Sequence, residues 1–510
     1  MLGIRGVADG ATSTLVDPTN ASAEAVPVSA RTRVSLKASH TLWHLALAYG
    51  LWLALPIALY AAVGGPHPTV LVLVHYVVAS ACAVTAAVMT VEAACAWRRK
   101  AAPQGEYRPV DRTVTFIVCA YLPNEQHLIM ETVRGLRTSL ATVCPGSQII
   151  LAYNTPHALP VEHALRDHAR RDPHFVPLRV HGSNSKAENI HAALGLSTGE
   201  MTVLLDADHH LLTDAVERAW RWLDRGYDVV QGRCVIRGEK QSVLTRWVGV
   251  EFEQVYAVLH AGRSMGFDIA LFGGSNGYWR TSVLREITMD PSMLTEDIDA
   301  TVRATMRGYR FVHDRSIVAS ELAPGSFASW WAQRLRWAQG WLQVTMRHQR
   351  AILASQGLSW KQKAYWTYLL SWRELFPVLS LQGFALLATA AVLHRPIGWF
   401  SNGYFVATAI LTAVAGPLAT VVAYRRALWQ TRSGLGPWFV AYAVLSLPYT
   451  LLKNSVSMAA QVRQAIGRSG EWVVTSRAPG GAASRDPAAD TDPWEGSQTL
   501  GMPAIGAGNQ

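Results

Sequence analysis

Two long apolar stretches near the start of the chain are each able to cross a membrane. Residues 42–63 and 69–91 contain no Asp, Glu, Lys or Arg. A helix of either length covers the ~30 Å of hydrocarbon in a bilayer. A short GGPHP segment joins the two stretches, which favours a hairpin of transmembrane helices over a buried core helix. The first stretch lies too deep in the chain, and is too long, for a cleaved signal peptide.

Basic residues flank this hairpin on both sides and predict its orientation. Arg31, Arg33 and Lys37 precede it, and Arg98 to Lys100 follow it. Because Lys and Arg concentrate in cytoplasmic loops, we expect the segment after residue 100 to be cytoplasmic and the protein to be a multi-pass cell-membrane protein.

Apolar runs return at 375–394, 403–424 and 435–452. Arg425, Arg426 and Arg432 place the loop between the last two runs inside, and Lys453, Arg463, Arg468 and Arg477 argue the same for the residues after 452. Three spans would place those last residues outside. Two or three transmembrane or interfacial helices therefore remain open for 375–460, preceded by an interfacial amphipathic segment at 346–374.

The middle of the chain, 105–345, has a different pattern. Short β-rich runs at 113–121, 148–153, 201–208 and 228–236 alternate with stretches of helical spacing. This alternation predicts an α/β domain with a mainly parallel mixed sheet, inserted between the N- and C-terminal membrane helices. Ligands bind such sheets beyond the carboxyl ends of the strands.

Composition narrows the class of protein further. Of the 510 residues only 16% are charged, against about 25% in soluble proteins, which argues against a single soluble globule. The net charge is +10, and because basic residues flank the apolar runs, we expect anionic lipid rather than nucleic acid as the partner of these charges.

The five Cys include no CxxC pair and are interpreted as free thiols in a reducing compartment, without structural zinc. Residues 1–40 and 478–510 have the composition of disordered segments.

Three groups of polar residues carry candidate chemistry. Asp206 and Asp208 end a strand, where two carboxylates can hold a hard cation against a diphosphate; a chance DxD is the alternative. Thr295-Glu296-Asp297 precedes a helix and could be simple acidic capping. Gln333-Arg334-Leu335-Arg336-Trp337 could belong to an amphipathic helix on lipid. His209 and His210 are interpreted as bystanders, because Mg²⁺ and Mn²⁺ prefer oxygen ligands.

The order and spacing of these groups resemble the D, D, D, QxxRW signature of membrane-bound family 2 glycosyltransferases, which include cellulose, chitin and hyaluronan synthases and related glycolipid synthases. Further matching segments are YLPNE at 121–125, SKAEN at 185–189 and GGSNG at 273–277. The resemblance covers about 105–345 and the arrangement of flanking spans.

The resemblance implies a GT-A fold, a nucleotide-sugar donor and inversion at the anomeric carbon. It makes Asp297 the catalytic base and assigns catalytic roles to Asp208, Arg336, Gln333 and Trp337. Asp206 and Asp208 would bind Mg²⁺ or Mn²⁺. The residues implied in donor binding are Lys186, Asp206, Tyr121, Glu125 and Asn154. Asn154 stands where the family usually has an Asp for the nucleotide base, so UDP is the default donor nucleotide rather than an established one.

The acceptor is open between two enzyme classes. AYNTP, DADHH, CVIRG, GGSNGYW and QRLRWAQGW resemble the bacterial glycolipid branch that includes β-monoglucosyldiacylglycerol synthase, which implies transfer of glucose from UDP-glucose to diacylglycerol. The alternative is a processive β-polysaccharide synthase, whose channel would need several helices. A non-catalytic membrane module is a remote third possibility. The oligomeric state is not predicted.

Overall fold

The computed structural model describes residues 38–98, 112–140, 144, 146–211, 214–238, 242–394 and 402–467. The segments expected to be disordered, 478–510 and nearly all of 1–40, lie outside this range, as do Arg31, Arg33, Lys37, Arg99 and Lys100. Residues 112–354 form an α/β unit, and apolar helices precede and follow it.

The α/β unit is built on one mixed sheet of eight strands. Their bounds are β1 Val114–Tyr121, β2 Gln148–Asn154, β3 Phe175–Arg179, β4 Met201–Asp206, β5 His210–Leu211, β6 Val229–Arg237, β7 Gly277–Arg280 and β8 Phe311–Leu322. The spatial order is β3-β2-β1-β4-β7-β6-β8-β5. The four strands predicted from the β-rich runs correspond to β1, β2, β4 and β6.

The sheet is parallel on one side and mixed on the other. β1, β2, β3 and β4 pair in parallel, β7 runs antiparallel to both β4 and β6, and β8 pairs in parallel with β6. The central strands are buried on both faces: Phe116 and Val118 of β1 contribute to one core cluster, and Ile117 and Cys119 to the other. This period of two, with apolar residues on each face, places helices on both sides of the sheet.

The helices of the α/β unit follow the strand–helix alternation that the sequence predicts. They are α4 Leu122–Glu125, α5 Ile129–Leu140, α6 Val161–Arg171, α7 Lys186–Leu194, α8 Ala215–Leu223, α9 Val243–Phe252, α10 Ala261–Gly266, α11 Thr281–Ile287, α12 Glu296–Met306 and α13 Phe327–Ala354. A π-helical segment, Glu253–His260, joins α9 to α10. The preceding N-terminal helices are α1 Ala38–Tyr49, α2 Leu55–Gly64 and α3 Pro68–Trp97, with α1 and α2 joined by a π-helical segment at Gly50–Ala54.

The C-terminal helices are α14 Trp360–Thr367, α15 Arg373–Val392, α16 Gly403–Arg426, α17 Trp429–Val444 and α18 Ser446–Ala465, with α14 and α15 joined by a π-helical segment at Tyr368–Trp372. Among the described residues, four helical stretches are long and apolar enough to cross a membrane: Thr41–Gly64, Pro68–Trp97, Trp360–Val392 and Gly403–Arg426. The run at 435–452 is not one straight helix, because α17 and α18 meet at a bend of 76°. The choice between two and three C-terminal spans stays open.

Buried polar contacts join the α/β unit to the apolar helices. The Arg315 guanidinium donates to the backbone oxygen of Ala96, which lies in the last turn of α3, at 2.8 Å. Glu92 of the same helix contacts Arg263 at 3.4 Å and accepts a hydrogen bond from Tyr365. A side chain at Gly262 would overlap the backbone of Glu92, so the glycine permits this close packing. The cytoplasmic placement expected for the α/β unit stays a prediction.

Candidate active site

Polar side chains gather where three neighbouring parallel strands end. Tyr121 at the end of β1 lies beside Asn154 at the end of β2, and Cys119, near that end of β1, is in register with Asp206 at the end of β4. Because these strands are parallel, their carboxyl ends meet at one edge of the sheet. The structure therefore places three of the predicted donor-binding residues on the expected edge.

Lys186 joins two of the predicted segments at this edge. It is the first residue of α7, whose N-cap residue Ser185 accepts a hydrogen bond from the Glu188 amide. Lys186 Nζ forms a close ion pair with Asp206 Oδ1 and donates to the carbonyl oxygen of Gly274 at 2.6 Å. Burial lowers the pKa of Lys186, but the carboxylate of Asp206 and other nearby groups together raise it by more. The pKa of Lys186 therefore lies above its ordinary value. Lys186 is therefore a fixed cation at the edge.

The acidic pair Glu296 and Asp297 begins α12 and faces the same place. Asp297 Oδ1 accepts a hydrogen bond from the Ile298 amide at 2.8 Å. A side chain at Gly274 would come within 3.0 Å of Asp297 Oδ2. Gly274 has a φ of +88°, a conformation that glycine adopts without steric cost, so the GGSNG loop can approach the acid closely.

The electrostatic surroundings of Asp297 suit a proton acceptor. Burial and, next, the charge of Glu296 raise the pKa of Asp297 to about 7, although Lys186 and Arg336 act in the opposite direction. Burial holds the pKa of Glu296 above its ordinary value, although the charges of Lys186 and Arg336 act in the opposite direction. A carboxylate with a pKa near neutrality is matched to general base catalysis at neutral pH.

Helix α13 carries the remaining predicted residues. Arg336 donates to the carbonyl oxygen of Leu294 at 3.4 Å, next to the acidic pair. Burial lowers the pKa of Arg336, while the charges of Glu296, Asp297 and Asp206 raise it. Within the described part of the chain, Arg336 Nε and Gln333 Oε1 are buried without a hydrogen-bond partner. Buried polar atoms are rarely unpaired, so these two have unused hydrogen-bonding capacity.

The Trp337 ring is held by Arg334, a residue of the same segment to which the resemblance assigns no role. The guanidinium of Arg334 lies 4.3 Å from the centre of the Trp337 ring and 2.6 Å from Glu251 Oε2. Lys453 of α18 is 3.9 Å from Glu251 Oε1. Arg334 lies within the QxxRW segment, so the sequence could have pointed to it. Glu251 and Lys453 are distant along the chain, and only the fold shows that they lie nearby.

Asp208 is placed differently from Asp206. Asp206 is partly exposed at the edge, whereas Asp208 is fully buried and accepts a hydrogen bond from the Leu322 amide at 2.9 Å. The oxygen chemistry and exposure of Asp206 fit a Mg²⁺ or Mn²⁺ ion. The enclosed carboxylate of Asp208 gives no such support, so its role as a metal ligand stays a prediction.

His209, which was interpreted as a bystander rather than a metal ligand, has structural contacts in the fold. Its Nδ1 lies 3.3 Å from Asp208 Oδ1, and its Nε2 lies 2.8 Å from Glu321 Oε2. Burial lowers the pKa of His209, but Glu321 and Asp208 raise it well above its ordinary value. His209, Cys234 and Glu321 each offer a possible metal-ligating atom, and these three atoms lie within 4.8 Å of one another. All five cysteines are free thiols.

Glu125 and Asn154 organise the backbone beside the site. Glu125 Oε2 accepts a hydrogen bond from the Tyr121 amide at 2.9 Å, and Asn154 bridges the Ser183 carbonyl and the Asn189 amide group. A cavity of about 190 Å³ opens nearby, between the start of α7 and the segment before α12, and its lining includes Lys186, Met293 and Glu296.

Comparisons with known proteins identify the family. The model of glycosyl transferase family group 2 matches residues 201–460, just over half of the chain, and that of glycosyl transferase family 2 matches residues 115–283. A probable glucomannan 4-beta-mannosyltransferase from Oryza sativa subsp. japonica is 25% identical over 227 residues, covering 43% of this chain and 39% of the relative. A poly-beta-1,6-N-acetyl-D-glucosamine synthase from Staphylococcus epidermidis is 24% identical over 251 residues, covering 48% and 58%.

The chain thus spans about two fifths to three fifths of the length of these curated relatives. Among solved structures, the mannosyltransferase PcManGT from Pyrobaculum calidifontis, in complex with GDP-Man and Mn²⁺, has 19% identity and a TM-score of 0.49, covering 76% of this chain and 99% of that one. With its GT-A-like mixed sheet and a family match over more than half of its length, the chain belongs to glycosyl transferase family group 2.

Proposed function

We propose that the protein transfers a hexosyl group from a nucleoside-diphosphate sugar, with inversion, to a lipid acceptor at the membrane surface. UDP-glucose and diacylglycerol are the proposed substrates, and the product is a β-glycolipid. The observation that carries the proposal is the convergence of Lys186, Asp206, Asp297 and Arg336 at the carboxyl edge of β1, β2 and β4.

The proposed chemistry assigns one step to each charged group. The acceptor hydroxyl oxygen forms a bond to the anomeric carbon while Asp297 takes its proton. The bond between the anomeric carbon and the diphosphate breaks, and its electron pair leaves with the diphosphate. Lys186 and Arg336 are placed to stabilise that negative charge. Asp206, with Asp208, would hold a Mg²⁺ or Mn²⁺ ion, which acts as a Lewis acid when bound.

The remaining site residues have binding roles in this proposal. Tyr121 and Asn154 lie at strand ends, Glu125 lies in the short helix that follows β1, and all three shape the nucleotide side of the site. Gln333 and Trp337 lie along α13 and face the acceptor. The buried, unpaired Gln333 Oε1 supports a hydrogen bond to an acceptor or donor hydroxyl.

Three observations bear on the acceptor. The helix with the QxxRW segment packs directly against α18 through Gln339 and Gln464 at 3.0 Å, which brings the site close to the apolar helices. Four candidate spans in the described ranges are few for a polymer channel. The names of the curated relatives favour the alternative, a processive β-polysaccharide synthase.

The test is a product assay on membranes that contain the full chain. Labelled UDP-glucose, UDP-N-acetylglucosamine and GDP-mannose are supplied in turn with Mg²⁺ or Mn²⁺, with Asp297→Asn as the inactive control. Label that moves into a chloroform extract supports the lipid acceptor. Label in an insoluble or high-mass product overturns the lipid acceptor in favour of the polymer synthase. If no donor releases its nucleotide, the proposed transferase activity itself is contradicted.

A further inference from the structure

The two helices after the last straight span, α17 and α18, begin and end on the same side of the molecule. They follow Arg426, whose carbonyl oxygen accepts a hydrogen bond from Arg233 of β6 at 3.1 Å. Near their end, Gln464 Oε1 accepts a hydrogen bond from Gln339 of α13 at 3.0 Å. Both ends therefore contact the α/β unit, although the pair together is long and apolar enough to pass for one broken span.

The inner face of the bent pair packs on the α/β unit. Tyr442 donates a hydrogen bond to Gln254 at 3.2 Å and packs its ring 5.0 Å from Trp247. Tyr449, beyond the bend, packs against Trp247 and Trp330. The bend at Leu445 thus wraps around α9 and the start of α13 and does not lead away from them.

The outer face of the bend is apolar and open. The exposed fractions are 66% for Val440, 74% for Val444, 46% for Leu445 and 58% for Leu447. Soluble surfaces rarely expose a contiguous apolar group of this kind, and such patches mark an interaction site. We name these four residues the apex face.

The neighbours of the pair identify what covers the apex face. Tyr49 of α1 hydrogen-bonds Ser455 at 2.6 Å, and Ser380 of α15 accepts from Asn454 at 3.0 Å, so α18 lies beside two candidate spans. At the other end of the pair, exposed Arg425 and partly exposed Arg432 match the anionic head groups that border acyl chains.

We propose that residues 429–465 form a re-entrant hairpin whose apex face binds acyl chains of the leaflet adjacent to the α/β unit. The hairpin does not cross the bilayer, so four spans remain and the residues before the first span and after α18 lie on one side. This arrangement agrees with the basic residues that flank both regions. It is independent of which acceptor the enzyme uses.

Cysteine labelling tests the topology. Ser433→Cys and Ala465→Cys flank the hairpin at exposed positions, His163→Cys reports the side of the α/β unit, and the unsubstituted chain gives the background from the native thiols. A membrane-impermeant maleimide should label all three variants in inverted vesicles and none in intact cells. Labelling of Ser433→Cys and Ala465→Cys from opposite sides would overturn the proposal.

Fluorescence quenching tests the lipid contact. A bimane on Val444→Cys, in vesicles of phosphatidylcholine and phosphatidylglycerol that contain doxyl-labelled acyl chains, should lose at least half of its emission and resist quenching by iodide. A bimane on Ser433→Cys should show the reverse. Iodide quenching of the Val444→Cys label with no doxyl effect would place the apex face in water, and quenching by neither agent would place it under protein; either result would refute the proposal. Transferase activity should persist in both variants, which separates this test from that of the proposed function.

Discussion

Gly340 of α13 lies directly against Thr295, the residue before the acidic pair. A side chain at position 340 would meet Thr295 Cγ2 at 2.5 Å and its amide nitrogen at 2.9 Å. This contact sets the separation between the helix that carries Asp297 and the helix that carries Arg336.

Gly340→Ala should therefore impair catalysis. The methyl group must displace the backbone at Thr295, and a misplacement of about 1 Å near a reacting centre can cost about 100-fold in rate. We expect kcat to fall by about 10- to 100-fold with the chain still folded. The control is Gly135→Ala in α5, where nothing lies within 4 Å of the added methyl group; that change should leave kcat intact and stabilise the helix by about 1 kcal/mol. Equal activity in the two variants would contradict the spacing argument.

Asp297→Asn should remove turnover and leave donor binding largely intact. An amide cannot take the acceptor proton, and loss of a general base typically costs about 10²- to 10⁴-fold. Single-turnover rates and the donor dissociation constant measure the two effects separately. A near-normal rate would show that another group is the base.

The value of kcat/KM should decrease as the pH is lowered below about 7. Asp297 must be ionised to act, and its pKa lies at about 7; activity is therefore present above this pH and lost as the pH falls through it. Glu296→Gln removes the neighbouring negative charge, so the acid limb should move to lower pH. A limb that stays in place or moves upward would mean that Glu296 does not raise the pKa of Asp297.

Asp208→Asn should weaken metal-dependent donor binding while keeping the local fold. The amide oxygen can still accept from the Leu322 amide, but the negative charge is lost. The metal concentration for half-maximal activity should rise at least 10-fold in Asp208→Asn, and Asp208→Ala should lose thermal stability as well. Unchanged metal dependence in Asp208→Asn would remove Asp208 from the metal site.

Glu251→Gln should destabilise the protein and raise KM for the acceptor. The change leaves buried Arg334 without its closest counter-charge, which typically costs about 3–5 kcal/mol, and it frees the guanidinium that packs on Trp337. The matched control is Glu217→Gln, because Glu217 pairs with Arg221 on a partly exposed face of α8, where such pairs contribute about 0–1 kcal/mol. Thermal unfolding in detergent and acceptor KM should both separate the variants; if the acceptor KM of Glu251→Gln is unchanged, the support of Trp337 by Arg334 has no role.

The features that local pattern determines were predictable from the sequence. The buried strands β1, β2, β4 and β6 are apolar runs ended by polar residues, and the family resemblance predicted that Lys186, Asp206, Asp297 and Arg336 share one site. The antiparallel strand β7 was not predicted, because Gly277–Arg280 is short and its apolar pattern is too brief to show a period.

Contacts between segments that are distant along the chain could not be predicted from the sequence. Glu251 and Arg334 are 83 positions apart, and no spacing rule links an acid in α9 to a motif in α13. His209 was interpreted as a bystander because hard cations prefer oxygen, an argument that says nothing about its contacts with Asp208 and Glu321. The bend at Leu445 escaped notice because hydropathy measures how apolar a run is and not whether it is straight.

The pairing of Lys186 with Asp206 bears on the order in which substrates arrive. Before any ligand enters, the ammonium group of Lys186 already pairs with the Asp206 carboxylate that a divalent ion would bind. An ion that arrives alone would have to displace Lys186, whose positive charge would then lack a partner. A diphosphate that comes with its ion supplies both missing partners at once. If Asp206 binds the ion as proposed, the resting pocket is expected to favour the ion–nucleotide complex over either of its parts.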